Sequence, residues 1–96
     1  MKIIYADTFF KRFKGLMGKK DFNDCLLFTN ITDSGIHTMF MGFEIDVYFI
    51  DENKIIYDRI SLKPWKFYRP KKQAKYILET KKGILKLKIG DKLDFI

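Results

Sequence analysis

The only histidine, His37, precedes Asp46 and Tyr48 within one β-rich stretch. A histidine hydrogen-bonded to a carboxylate can be oriented to transfer a proton or hold a ligand. Whether these side chains meet depends on the strands that carry them. Residues 36–41 and 44–50 flank Gly42-Phe43, and a hairpin turning on those two residues is the economical reading. In that register His37 faces Tyr48, Met39 faces Asp46 and Met41 faces Glu44, and alternation puts all six on one side. Ile36, Thr38, Phe40, Ile45, Val47 and Phe49 would then form the core-facing side. A three-residue turn would set Asp46 opposite Phe40 and dissolve the cluster. His37 and Asp46 are thus the catalytic candidates for a hydrolase or isomerase, and the alternative, which we prefer, is a half-buried polar pair that satisfies itself.

Other chemistry is sparse. Cys25 stands in the apolar run Cys25-Leu26-Leu27-Phe28 with no basic neighbour to activate it, and reads as a buried structural thiol. One His and one Cys make no zinc-type ligand set, and Asp46, Asp51 and Glu52 offer at most a weak oxygen site, so no metal and no cofactor is expected. Neither Gly15-Leu16-Met17-Gly18 nor Gly90-Asp91 has the spacing of a phosphate-binding loop.

The second constellation is the stretch 63–75, which carries six basic residues, three aromatics and no acid. Lys63, Trp65, Lys66, Tyr68, Arg69, Lys71, Lys72 and Lys75 would suit single-stranded nucleic acid, with cations on phosphates and rings on bases. An anionic membrane surface or an acidic partner fits the same charge. In the plainer reading, which we prefer, Trp65 and one of Phe67 and Tyr68 fold back to cap the core and leave the lysines solvated. Arg12, on a short helix beside a glycine turn, can clamp a carboxylate or phosphate, or pair structurally with Asp7 or Asp46.

These residues sit in a chain of 96 residues with a net charge of +7, 47% hydrophobic and 17% aromatic. That length fits one domain, 1–96, with one core. The positive charge is concentrated, since residues 53–88 hold twelve basic and two acidic side chains. Sixteen of the nineteen basic residues are lysine, a bias that genome composition or hot growth explains as readily as function. A lone cysteine asks for no oxidising compartment, and no apolar run is long enough for a signal peptide or a membrane helix. A soluble cytoplasmic protein is the expectation.

The elements that must position the candidates follow from pattern and punctuation. Strands are expected at 1–6, 25–28, 36–41, 44–50, 54–61, 74–79 and 92–96, with a short helix near 9–14 and one or two helical turns within 80–87. Residues 36–61 would form a three-strand meander. Pro64 and Pro70 make 62–72 a surface loop. The fold class is all-β, a compact antiparallel sandwich, jelly roll or barrel with one or two short helices.

Read together, Thr8 with Arg12, Gly15-Leu16-Met17-Gly18, Ile36-His37-Thr38-Met39-Phe40-Met41, Ile45-Asp46-Val47-Tyr48-Phe49-Ile50-Asp51, Leu62-Lys63-Pro64-Trp65, Ala74-Lys75-Tyr76-Ile77-Leu78-Glu79 and Gly90-Asp91 resemble the DUF192 family. The blocks occur in order over nearly the whole chain. The resemblance implies a small β-sandwich of jelly-roll type and brings neither an activity nor a cofactor. Family members often carry an anchor or export signal ahead of the domain, whereas this chain begins almost at its first strand, which favours a soluble intracellular form. Gly42-Phe43-Glu44 replaces the family's frequent proline-containing turn. The function expected is a non-enzymatic binding module for a small molecule or protein, its surface near Arg12, His37, Asp46, Tyr48, Lys63 and Trp65. Nucleic-acid binding through 63–75 and catalysis at His37 and Asp46 are the alternatives.

Overall fold

The computed structural model describes residues 3–6, 24–29 and 31–96. Seven strands run in chain order: β1 Ile3–Ala6, β2 Cys25–Phe28, β3 Ile36–His37, β4 Ile45–Ile50, β5 Ile56–Leu62, β6 Phe67–Tyr68 and β7 Tyr76–Lys81. Five of them form one sheet in the order β1-β2-β7-β4-β5, and β3 pairs with β6 in a second, two-stranded sheet. β1 runs parallel to β2, and every other pairing is antiparallel. No helix occurs among the described residues; the helix expected at 9–14 lies outside them.

β4 is flanked on both sides and all six of its residues are buried. A strand covered on both faces needs an unbroken apolar run, and Ile-Asp-Val-Tyr-Phe-Ile comes close to one. Its alternation feeds two separate clusters. Ile45, Val47 and Phe49 join Leu26, Phe28, Ile77 and Leu62 on one face, and Ile36, Met41 and Ala74 pack over them from the smaller sheet and its flanks. Tyr48 and Ile50 join Cys25, Leu27, Ile56 and Leu78 on the other face, which Leu85, Leu87, Leu93 and Ile96 cover.

The β4–β5 hairpin expected from the sequence forms. Its turn is fixed by Asp51, whose side chain accepts hydrogen bonds from the Asn53 and Ile55 amides at 2.9 and 3.0 Å. One residue later the ladder shifts: Phe49 opposes Asp58 and Ile50 opposes Ile56, which leaves Tyr57 as an extra residue. The bulge turns the Tyr57 ring to Phe49, 6.4 Å away between centroids. The outer edge of β5 is blunted as well. Asp91 and Gly90 bond to Ile56, Leu93 bonds to Lys54, and the Asp58 carboxylate caps the Arg59 amide at 2.8 Å.

Three expectations are corrected. The hairpin on Gly42-Phe43 does not exist: β3 ends at His37 and pairs with β6, with Ile36 opposite Tyr68 and His37 opposite Phe67. A turn over 38–41, closed by the Met41 amide on the Thr38 carbonyl, redirects the chain before it can run back along β4. Residues 80–87 hold no helical turn, because Thr80 and Lys81 continue β7 and the chain then turns at Gly83, φ 87°. The last strand reduces to one bridge between Ile55 and Lys92.

Phe49 is fully buried between the two sheets, 5.7 Å from the Tyr68 ring. Phe49→Ala should cost about 3–5 kcal/mol in urea unfolding. Tyr57 gives a pH test. Burial, then the charges of Asp58 and Asp51, push its phenol from 10.0 up to about 12. The fold favours the neutral phenol, so this stabilisation is whole below pH 10 and disappears as pH climbs towards about 12. Urea midpoints should therefore fall across that window, and Tyr57→Phe should make the fall smaller.

Candidate functional site

Asp46 lies on the face of β4 that carries Tyr48 and Ile50, whereas β3, bearing His37, packs through Ile36 over the opposite face. The sheet separates the two side chains, and the shared hydrogen bond expected from the hairpin is not made. Asp46 instead opposes Ser61 on β5 and Thr80 on β7. Its carboxylate accepts the Ser61 hydroxyl at 2.5 Å and the Gly83 amide at 3.0 Å, with the Arg59 guanidinium 3.9 Å away. These contacts fix the turn by which the chain leaves β7 to cover the second face. Tyr48 does similar work, donating its hydroxyl to the Leu85 carbonyl at 3.0 Å. Burial and then Asp46 push its phenol up, so it stays a neutral donor.

His37 is half-buried, and its Nδ1 is shut off from solvent with no hydrogen-bond partner in the structure. Cys25 is buried, and desolvation followed by the Asp24 charge raises its thiol, as suits a packing residue and not a nucleophile. No group of three His, Cys, Asp or Glu side chains able to hold a metal occurs among the described residues. Arg12 lies outside them.

The basic-aromatic stretch divides. Tyr68 folds inward, its ring against Phe49 and its hydroxyl donating to Asp58 at 2.6 Å. Trp65 does not cap the core: it is 60% exposed, and Phe67 is 63% exposed. Arg69 pairs with Asp33 at 2.5 Å and lies over the Phe67 ring. Lys72 sits 4.7 Å over the Tyr57 ring. Lys63, Lys66, Lys71 and Lys75 are exposed.

Trp65 has a partner in Phe40, which the hairpin register placed on the core-facing side and which the structure puts in solvent instead. Phe40, 57% exposed, meets it edge to face with centroids 4.8 Å apart. Both residues have left-handed backbone, at φ 64° for Phe40 and 65° for Trp65. Each is third in a four-residue turn, 38–41 and 63–66, where a positive φ ordinarily selects glycine or asparagine. Pro64 occupies the position before Trp65, as such a turn favours.

Thr38, fully buried, holds both turns. Its carbonyl accepts the Met41 amide, closing the first turn, and the Trp65 amide from the second. Its hydroxyl donates to the Lys63 carbonyl at 2.6 Å and accepts the Lys66 amide at 2.8 Å. Those two groups would bond each other in an ordinary closed turn. The threonine hydroxyl is inserted between them, so neither turn can relax independently. Phe40 and Trp65 are presented together, with Met39 and Phe67 exposed beside them.

Thr38→Val keeps the volume and removes the inserted hydroxyl. Stability should drop by about 2 kcal/mol, because buried backbone groups lose partners. Amide exchange at Trp65 and Lys66 should accelerate more than in the strands.

The DUF192 family model, described as Uncharacterized ACR, matches residues 1–95. A UPF0127 protein of Pyrococcus furiosus is 43% identical over 103 aligned positions, covering 99% of this chain and 87% of that one. A UPF0127 protein of Thermococcus sibiricus is 42% identical, and the match covers 98% of this chain but 66% of that protein, so the chain spans just under two thirds of that relative's length. Among solved structures, a protein of unknown function from Novosphingobium aromaticivorans superposes with a TM-score of 0.83 at 18% identity, covering 94% of this chain and 71% of that one. At that identity the likeness is one of fold alone. By family match and by relatives alike, the chain belongs to the DUF192 family of uncharacterised proteins.

Proposed function

We propose that this chain is a non-enzymatic binding module whose contact surface is the Phe40–Trp65 platform and its basic rim. One observation carries the reading: two bulky aromatics occupy left-handed turn positions that suit glycine, yet their rings are spent on solvent. Left-handed backbone costs a non-glycine residue roughly 1–2 kcal/mol, and such strain persists where the surroundings enforce it and concentrates at functional sites. A ring buried in the core would offset that cost. These rings are more than half exposed, so their retention makes sense as a presented surface. Lys63 and Lys66 flank Trp65, and His37 stands opposite Phe67 beneath the platform. The ligand that fits has a planar face and a negative charge. Asp46 and Tyr48 belong to the fold's interior support, and catalysis through His37 and Asp46 is not part of the proposal.

Trp65 is the sole tryptophan, so its fluorescence reports on the platform directly. Anilinonaphthalene sulfonate, a planar anion, should quench Trp65 on binding. Read by the dye's own emission, binding should be lost in the double variant Phe40→Gly, Trp65→Gly. The same double variant should be at least as stable as the parent in urea, because glycine relieves both left-handed positions. Unchanged dye binding would place the dye away from the rings, a loss of several kcal/mol in stability would mean that the rings hold the fold together, and either would overturn the reading.

A further inference from the structure

We infer that the platform's occupant is a single strand of nucleic acid, with a base stacked on Trp65 and the backbone held by the lysines of residues 63–75. The inference rests on the binding reading above and names its ligand class.

The first support is the combination of groups. Aromatic faces bind bases without regard to sequence, and flanking cations bind the phosphates. Trp65 and Phe67 are exposed two residues apart, with exposed Lys66 between them and Lys63 just before. The second is how the charges are distributed. Arg69 is engaged by Asp33 and Lys72 by the Tyr57 ring. Among the described residues, Lys63, Lys66, Lys71 and Lys75 make no ion pair, and all four are exposed. They lie on one chain segment that itself contains no acid, two of them flanking Trp65 and two following it, with Asp33 meeting the segment at Arg69 and Asp58 at Tyr68. Exposed, unpaired cations on both sides of an exposed ring suit a polyanion that carries bases.

The third is rigidity. The Thr38 hydroxyl and carbonyl fix the backbone on which Trp65 stands, and Phe40 braces its ring edge to face at 4.8 Å. A ring held in this way loses little freedom when a base stacks on it. An anionic bilayer surface would also accept an exposed tryptophan beside lysines, and the vesicle arm of the test separates the two. Duplex fits poorly, because its base faces are already stacked on one another.

The test titrates the full chain with mixed-sequence 12-nucleotide single strands, ribo and deoxyribo in separate arms, reading Trp65 quenching. Further arms use the corresponding duplex and phosphatidylserine–phosphatidylcholine vesicles. Single strands should bind at 50 mM salt and weaken about 20- to 50-fold by 200 mM, as about three or four phosphate contacts require. Trp65→Ala, read by fluorescence anisotropy of labelled strand, should weaken binding about 5- to 150-fold. Lys66→Ala should lower the salt slope by about 0.7, at little cost in stability. The ribo and deoxyribo arms decide which strand is preferred, and binding in either supports the inference. It is overturned by no binding at 50 mM salt, by duplex binding as tight as single-strand binding, or by vesicles alone engaging Trp65. If the dye still binds in a Trp65-dependent way while nucleic acid does not, this inference fails and the binding module stands. If neither binds, both fail.

Discussion

Burial of β4 on both faces is the constraint on which the architecture depends. A central strand hydrogen-bonded on two sides and covered on two faces leaves no route to solvent for a polar side chain, so each one it carries must be met inside the protein. Asp46 and Tyr48 are those side chains. Their partners, the Gly83 amide and the Leu85 carbonyl, belong to the segment that leaves β7. Satisfying the strand's polar groups thus places the cover of the second face. The same segment then runs on to bond the start of β5 through Gly90, Asp91 and Leu93. Polar satisfaction and apolar burial on that face are one arrangement.

On the other face the smaller sheet is too short to be stable alone. β3 and β6 have two residues each, and a two-stranded pair of that length lacks the burial to stand by itself. Ile36, Met41 and Tyr68 anchor it to the core, and Thr38 ties together the turns that leave its two strands at one end. The result is a surface whose base is locked into the core while its exposed rings contribute little to it. Separating anchor from surface lets strain at Phe40 and Trp65 be borne by contacts elsewhere.

Much of the large sheet was legible in the amino-acid sequence because its signals are local. Cys25–Phe28 and the β4–β5 hairpin have apolar runs and turn residues of the expected kind, with Asp51 where a side-chain acceptor is needed. The family resemblance, too, was carried by short blocks whose order is local information. The pairing of β3 was not legible. Residues 36–41 alternate as a strand should, but the hydroxyl of Thr38 reaches the distant turn at 63–66, and that bond outweighs the pattern. The proposed meeting of His37 and Asp46 depended wholly on the missing hairpin. Alternation assigns Phe40 to the core side and the structure exposes it, since nothing in a sequence marks an aromatic residue as left-handed. The nearest signal was Pro64, which favours the position before a positive φ and so marked the turn without marking its strain.

That pattern of success and failure bears on where function resides. Of the two side chains that looked most chemical, His37 and Asp46, the carboxylate is consumed by the demands of burial, and Tyr48 with it. The surface that escapes those demands is built from residues whose local preferences are violated. A sequence under selection for stability alone would place glycine or asparagine at positions 40 and 65, and smaller or more polar groups where rings stand in water. It would not choose an aromatic at both, brace the two rings on one another and fix both turns with one buried hydroxyl. The cost of the left-handed positions is local, while the contacts that enforce them reach into the core. An arrangement of that kind stabilises a shape more than it stabilises the fold, and a shape held rigid at the surface has its use in what it meets.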